Sequence, residues 1–307
     1  MSLDVVGFGA LNVDKLYHVN RIAKEDEEAY IKYLTQSCGG SAANTMVGLS
    51  RLGLKTGYIG KVSNDHGGNL ILENLKKEGI NTDGIIIAEG RSGSVMGFVD
   101  ADGQRALYVD PGVNDLFKPE EIKIEYFKDI KILHLTSFVG ESIKAQESLL
   151  EELPSTVKVS FDPGRIYAEK GIKYIKKILQ RTNLLLINEE ELKLLTGEEC
   201  NRNSIESLLS YDIDVIVVKR GSKGCYVTNK EESYSLGAFP VKCIDTTGAG
   251  DAFNAGFIYG LLKAKNLHDS SLIGNYVAAC CVEYIGATAG LPDSQKLKKN
   301  NLKYLDH

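Results

Sequence analysis

Short apolar runs alternate with amphipathic stretches along nearly the whole chain. Asp4–Gly9, Thr56–Gly60, Gly84–Ile87, Lys131–Leu135, Val157–Phe161, Leu184–Ile187 and Val215–Lys219 have the length and apolar character of strands. Leu184-Leu185-Leu186-Ile187 has no polar position, which suits a parallel strand buried on both faces. Ala42–Leu52, Gly67–Glu78, Ser142–Glu152, Gly171–Gln180 and Ser204–Ser210 are amphipathic stretches with helical patterning. Strand, helix, strand in this rhythm predicts an α/β fold: a mostly parallel sheet with helices on both faces.

Two regions break the rhythm. Leu16–Ser37 and Ser94–Asp110 alternate with period two, Val95, Gly97 and Val99 against Met96, Phe98 and Asp100. No helix within these segments could cover the strands, and Asp100-Ala101-Asp102-Gly103 is a hairpin turn signal. We expect a single domain over 1–307 that projects a small antiparallel β lid, inserted from about 15–37 and 94–110. The lid could be an edge extension, or could cover a site at the carboxyl ends of the parallel strands, where such folds bind ligands.

Composition narrows the function. The 307 residues carry a net charge of −5 with no long Lys/Arg block, so no nucleic-acid partner is expected. Gly, at 31, is abundant and Pro, at 6, scarce, which excludes a Pro-rich disordered segment and asks where a bare backbone is needed. The N-terminus has no basic segment followed by an apolar one, and no apolar run reaches about 18 residues; Ala252–Leu262 is interrupted by Asn254. A cytoplasmic protein with no membrane partner is expected. None of Cys38, Cys200, Cys225, Cys243, Cys280 and Cys281 forms a C-x-x-C pair, which favours buried free thiols over a metal or disulfide framework.

The chemistry concentrates in Asp245-Thr246-Thr247-Gly248-Ala249-Gly250-Asp251-Ala252-Phe253, which opens a helix of small apolar residues. Small residues at a helix start let backbone N–H groups converge on an anion. A carboxylate directly after them would repel a phosphate. The conflict resolves if Asp251 is a general base facing a hydroxyl while the Ala249 and Gly250 amides hold phosphoryl charge. The bland alternative is a Gly-rich turn with Asp251 as a helix-start charge. The full string, with Ala255 and Gly256, resembles the C-terminal signature of the ribokinase-like (PfkB) carbohydrate kinase family, and the resemblance runs from Val5 to about Pro292. It implies a three-layer α/β/α ribokinase-like fold and a phosphotransferase with an alcohol group as acceptor. Asp251 then activates the hydroxyl, and Gly248, Ala249 and Gly250 form the anion hole.

The resemblance implies further roles. In Cys38-Gly39-Gly40-Ser41-Ala42-Ala43-Asn44, Gly39, Gly40 and Asn44 match substrate-contacting positions; Ser41 stands where the strict ribokinase form has lysine. Asn12 and Asp14 match residues that bind sugar hydroxyls. Arg220-Gly221-Ser222-Lys223-Gly224 borders the family's ATP site, placing Lys219, Gly221, Ser222 and Gly224 there, with Asn275 near the adenine; as a lone motif it would read as a hairpin. Asn188 and Glu191 match the N-x-x-E element that orders Mg²⁺ through water, a pattern equally suited to a helix cap. Asp245, Thr247 and backbone at 286–290 match loops that hold a monovalent cation such as K⁺. A homodimer joined through the lid is also implied.

The acceptor stays open between a ribose-like sugar or nucleoside and a sugar phosphate. Tyr17, Tyr30, Tyr33, Phe98 and Tyr108 on the lid could stack on a ligand or pack on one another. Arg105 and Arg165, facing the cleft, would favour a phosphosugar; either could instead form a surface ion pair. Gly7-Phe8-Gly9-Ala10-Leu11-Asn12 nearly reads G-x-G-x-x-G, the mark of an NAD-dependent dehydrogenase. Asn12 replaces the third glycine, however, and a strand pattern follows where a helix is required. No G-x-x-x-x-G-K-[ST] is present, which excludes a P-loop kinase. A non-catalytic sugar-binding relative would have no need of Asp251.

Overall fold

The computed structural model describes residues 2–299. Its strands are β1 (Val5–Phe8), β2 (Asn12–Val19), β3 (Ile31–Gly39), β4 (Thr56–Ser63), β5 (Asn81–Ala88), β6 (Gly93–Val99), β7 (Arg105–Asp110), β8 (Ile132–Thr136), β9 (Lys158–Asp162), β10 (Leu184–Asn188), β11 (Val215–Lys219), β12 (Cys225–Thr228) and β13 (Ser233–Leu236). The large sheet has the order β13-β12-β11-β10-β9-β8-β1-β4-β5. From β11 to β5 every neighbouring pair is parallel; β12 and β13 add an antiparallel edge.

Alternation along β10 shows why this is a three-layer fold. Leu184 and Leu186 enter the core that holds the Ser41–Arg51, His66–Lys77, Ala249–Leu262 and Leu267–Val282 helices. Leu185 and Ile187 enter the opposite core, with the Ile143–Glu152, Glu189–Thr196 and Arg202–Leu209 helices. A strand with both faces covered can be apolar at every position. Each such fully buried Leu or Ile stabilises the fold by about 1.5–3 kcal/mol.

The lid is a separate sheet of order β3-β2-β6-β7. Its two hairpins are antiparallel, and β2 joins them by running parallel to β6, with Asp14 opposite Val95. The Asp100 turn forms as its sequence indicates: Gly103 N donates to Asp100 O at 3.2 Å, and Asp100 Oδ1 accepts from Asp102 N and Gln104 N. The lid starts earlier than the alternation suggests, at Asn12, because β2 emerges almost directly from β1.

Other differences are local. Gly171 adopts a φ of +80° and ends a Gly164–Lys170 helix, so the expected Gly171–Gln180 helix shrinks to Lys176–Leu179. The segment 112–127, which has no clear period, folds as three short 3₁₀ turns. Lys61 of β4 anchors it by donating to Leu116 O at 2.8 Å and to both carboxylate oxygens of Glu121 at 2.6 and 2.7 Å. No helix among the described residues is long and apolar enough to cross a membrane.

Candidate active site

β1 and β8 are neighbours at the centre of the sheet, but the connections to their next sheet partners run outward in opposite directions, toward β4 and toward β9. Such a reversal of strand order opens a crevice at the carboxyl ends. A cavity of about 340 Å³ lies there. Ala10, Asn12 and Asp14 line it after β1, Thr136 at the end of β8 and Ser137 just beyond it, and Ser41 and Asn44 from the Ser41–Arg51 helix. Val95 and Val109 of the lid roof it, and Thr247, Gly248 and Asp251 complete the wall.

Asn12 and Asp14 reach one side of the cavity because alternate strand residues share a face. Burial pushes the Asp14 carboxyl up to about 6. Gly39, opposite Asn12 in the register, carries no side chain; a Cβ there would stand 2.2 Å from Asp14 Oδ2. Gly40 caps the Ser41–Arg51 helix with a φ of +116°. Buried Asn114, which the sequence reading missed, holds this corner: it bonds Leu11 N at 3.0 Å and Leu11 O at 2.8 Å, and donates to Asn12 Oδ1 at 3.2 Å. Its only sequence signal was an amide set among Val113 and Leu116.

Asp251 sits in the first turn of the Ala249–Leu262 helix. The chain enters that turn through Gly248 at a φ of +75°, where a Cβ would lie 2.6 Å from Ala287 Cα; glycine alone avoids both strain and clash. The Ala249 amide is taken by Thr246 O at 3.2 Å. The Gly250 and Asp251 amides have no protein partner among the described residues, as the first turn of a helix leaves them. Asn44 Nδ2 donates to Asp251 Oδ2 at 2.8 Å. Burial raises the Asp251 carboxyl to about 7, against the opposing pull of the Asn44 bond.

Behind this turn lies a buried ionic group. Lys219, at the end of β11, donates to Asp162 Oδ2 at 2.6 Å and to Asn254 Oδ1 at 3.2 Å. Asn254 Nδ2 donates to the same Asp162 oxygen at 2.6 Å. Burial opposes the charge on Lys219, but the Asp162 and Glu191 carboxylates outweigh it and hold the ammonium pKa above its usual value. Burial likewise opposes ionised Asp162, and the Lys219 charge with its hydrogen bond wins. Asp162 was not singled out from sequence, although Asn254 stood out as the polar interruption of an apolar helix.

Asn188 and Glu191 form a reciprocal helix cap: Glu191 N donates to Asn188 Oδ1 at 2.8 Å, and Asn188 N to Glu191 Oε2 at 3.0 Å. Burial and the nearby Asp162 charge raise the Glu191 carboxyl to about 7. Its Oε1 accepts no hydrogen bond among the described residues. No three His, Cys, Asp or Glu side chains among those residues form a direct metal cage. One carboxylate with a free oxygen fits a Mg²⁺ ion that keeps its waters and is carried by phosphates. Asp245 accepts from Thr247 N, Thr247 Oγ1 and Gly286 N at 2.9, 2.7 and 2.8 Å, which draws the two loops expected around a monovalent cation together.

Gly221 and Ser222 lie in an exposed turn after β11, and Gly224 starts the return at a φ of +87°. Asn275, on the Leu267–Val282 helix, donates to Gly237 O at 3.1 Å, close to Cys225. Arg165 lies outside the cavity, paired on the surface with Glu169 and Glu190 at 2.7 Å each. Arg105 starts β7, on the strand face shared with Val109. The lid aromatics mostly meet one another: Tyr17 stacks on Phe98 at 5.3 Å and His18 on Tyr33 at 4.1 Å.

The pfkB family carbohydrate kinase model matches residues 2–294. The chain belongs to this family. A relative from Archaeoglobus fulgidus named as an uncharacterized sugar kinase is 44% identical, over 81% of this chain and 99% of its own. A Halopiger xanaduensis protein named ATP-dependent ribose-1-phosphate kinase is 35% identical over 83% of each chain. The solved ribokinase of Thermotoga maritima superposes with a TM-score of 0.86 at 28% identity, covering 97% of this chain and 98% of its own. This pfkB-family chain is therefore a sugar kinase with the ribokinase fold, and the family accounts for ATP as the donor. Membership of this family excludes the dehydrogenase alternative.

Proposed function

We propose that the chain transfers the γ-phosphoryl group of ATP to the primary hydroxyl of a ribose-like sugar or nucleoside. One observation carries the reading: the Asp251 carboxylate opens into the same cavity as Asn12, Asp14 and Asn44. Carboxylates and amides accept and donate to vicinal hydroxyls, so Asn12, Asp14 and Asn44, with the bare backbone of Gly39 and Gly40, would orient the sugar. Asp251 would take the hydroxyl proton as the bond to phosphorus forms, and the unpartnered amides after Gly248 would receive phosphoryl charge. Bound Mg²⁺, ordered through Asn188 and Glu191, would neutralise the phosphates. Gly221, Ser222, Gly224 and Asn275 would lie against the nucleotide, and the loops at 245–247 and 286–290 would take K⁺.

The cavity lining contains no Lys or Arg, which supports an uncharged acceptor. The second reading, a ribose-phosphate acceptor, rests on the name of the Halopiger relative. It would call on Arg105, whose charge lowers the Asp245 carboxyl along with nearer hydrogen bonds, against the effect of burial. A coupled nucleotide-consumption screen over pentoses, hexoses, nucleosides and sugar phosphates, in K⁺ and in choline salts, separates these readings. We expect turnover on free pentose or nucleoside and its loss, by at least about 10³-fold, in Asp251→Asn. Turnover confined to sugar phosphates establishes the second reading, and wild-type turnover in Asp251→Asn sinks both. Equal rates in the two salts remove the K⁺ assignment.

A further inference from the structure

Lys219 has one more hydrogen-bond donor than the protein uses. Its side chain is only 11% exposed, and the ammonium bonds Asp162 and Asn254. An ammonium carries three donors, so one N–H is left without a partner among the described residues. A Cβ built on Gly250 would stand 3.4 Å from Lys219 Nζ. The spare donor therefore borders the turn whose Gly250 and Asp251 amides are also unpartnered. Asn254 belongs to the same helix as that turn and fastens both members of the ion pair to it.

We propose that Lys219 is a catalytic residue whose third N–H donates to a non-bridging oxygen of the phosphoryl group in transfer, with Asp162 and Asn254 as positioning residues. This rests on the kinase reading above. Backbone amides offer only partial charge, whereas the ammonium of Lys219, 11% exposed, places a full charge beside them, and preorganised charge acts most strongly where burial lowers the dielectric. A loose phosphoryl transition state spreads its charge over three equatorial oxygens, so a second kind of donor has an oxygen to meet. The steps balance without a proton from lysine. The bond from γ-phosphorus to the ADP oxygen breaks, a bond to the acceptor oxygen forms, the hydroxyl proton passes to Asp251, and Lys219 remains an ammonium throughout.

If Lys219 served only as a counter-ion to Asp162, its loss would reduce stability and leave chemistry intact. Lys219→Ala should lower kcat by about 10²- to 10³-fold. The acceptor KM and the affinity for a fluorescent ATP analogue should stay within about threefold. Methylammonium should restore part of kcat saturably, and tetramethylammonium, which has charge but no N–H, should not. Because the single variant strands a buried carboxylate, Lys219→Met with Asp162→Asn is the second test, and it should melt cooperatively and be equally slow. Near-wild-type kcat in either variant, or equal rescue by both cations, overturns the proposal. Inactive Asp251→Asn beside active Lys219→Ala overturns this proposal alone; active Asp251→Asn overturns the kinase reading beneath it.

Discussion

At the residue scale, the environment of Asp251 sets the pH range of the reaction. A proton acceptor must be ionised, and burial has raised this carboxyl to about 7. The base is therefore competent above about 7 and is lost by protonation below it. We expect kcat/KM to fall about tenfold per pH unit on the acid side of about 7, a limb that Asp14→Asn should leave in place while raising the acceptor KM. A limb near 4 would mean that Asp251 is not the titrating base. The type and position of Asp251, Asn12, Asp14 and Asn44 were legible because their motifs are local. Asp162 and Asn114 were not, since their partners lie far off in sequence: Asp162 meets Lys219 and Asn254, and Asn114 meets Leu11 and Asn12.

At the element scale, the Ala249–Leu262 helix presents Asp251 and packs tightly on the Leu267–Val282 helix. The contact runs through Gly256, where an added Cβ would lie 2.7 Å from Ile273 O and 2.8 Å from Gly274 Cα. Backbone cannot yield as a side chain tip can, so Gly256→Ala forces the helices apart. Overpacking of this kind costs about 1–3 kcal/mol. We expect a melting temperature lower by several degrees together with reduced kcat, because the helix start moves with the helix. An unchanged melting temperature would show that the two helices are not held at this distance. The Gly171–Gln180 pattern illustrates the limit of periodicity: Gly171, which opens it, takes a φ of +80° and ends the preceding Gly164–Lys170 helix, so only Lys176–Leu179 of the stretch is α-helical.

At the scale of the whole molecule, the lid has too little cover of its own. Tyr33, Leu107 and Val109 are 56%, 52% and 49% exposed, and the register puts the three on the strand face shared with Asp14. Large apolar side chains left exposed on one face of a sheet mark an interaction site. We propose that two lids meet here, which makes a homodimer. Light scattering should give twice the chain mass for wild type and the monomer mass for Leu107→Asp; a monomeric wild type would refute the lid contact.

The glycine-rich, proline-poor sequence by itself determined the layered α/β fold, the projecting lid and the carboxylate that follows Gly248-Ala249-Gly250. Strand burial, hairpin turns and helix starts are written in adjacent residues. Only the tertiary structure decided that β1 and β8 part at the crevice, and that the lid hairpins join through a parallel pairing. It also decided that Lys219 turns inward to Asp162 beside Gly250. A buried ion pair is made by segments brought together from across the sheet, and desolvation acts on where a charge finally rests, which no local pattern records.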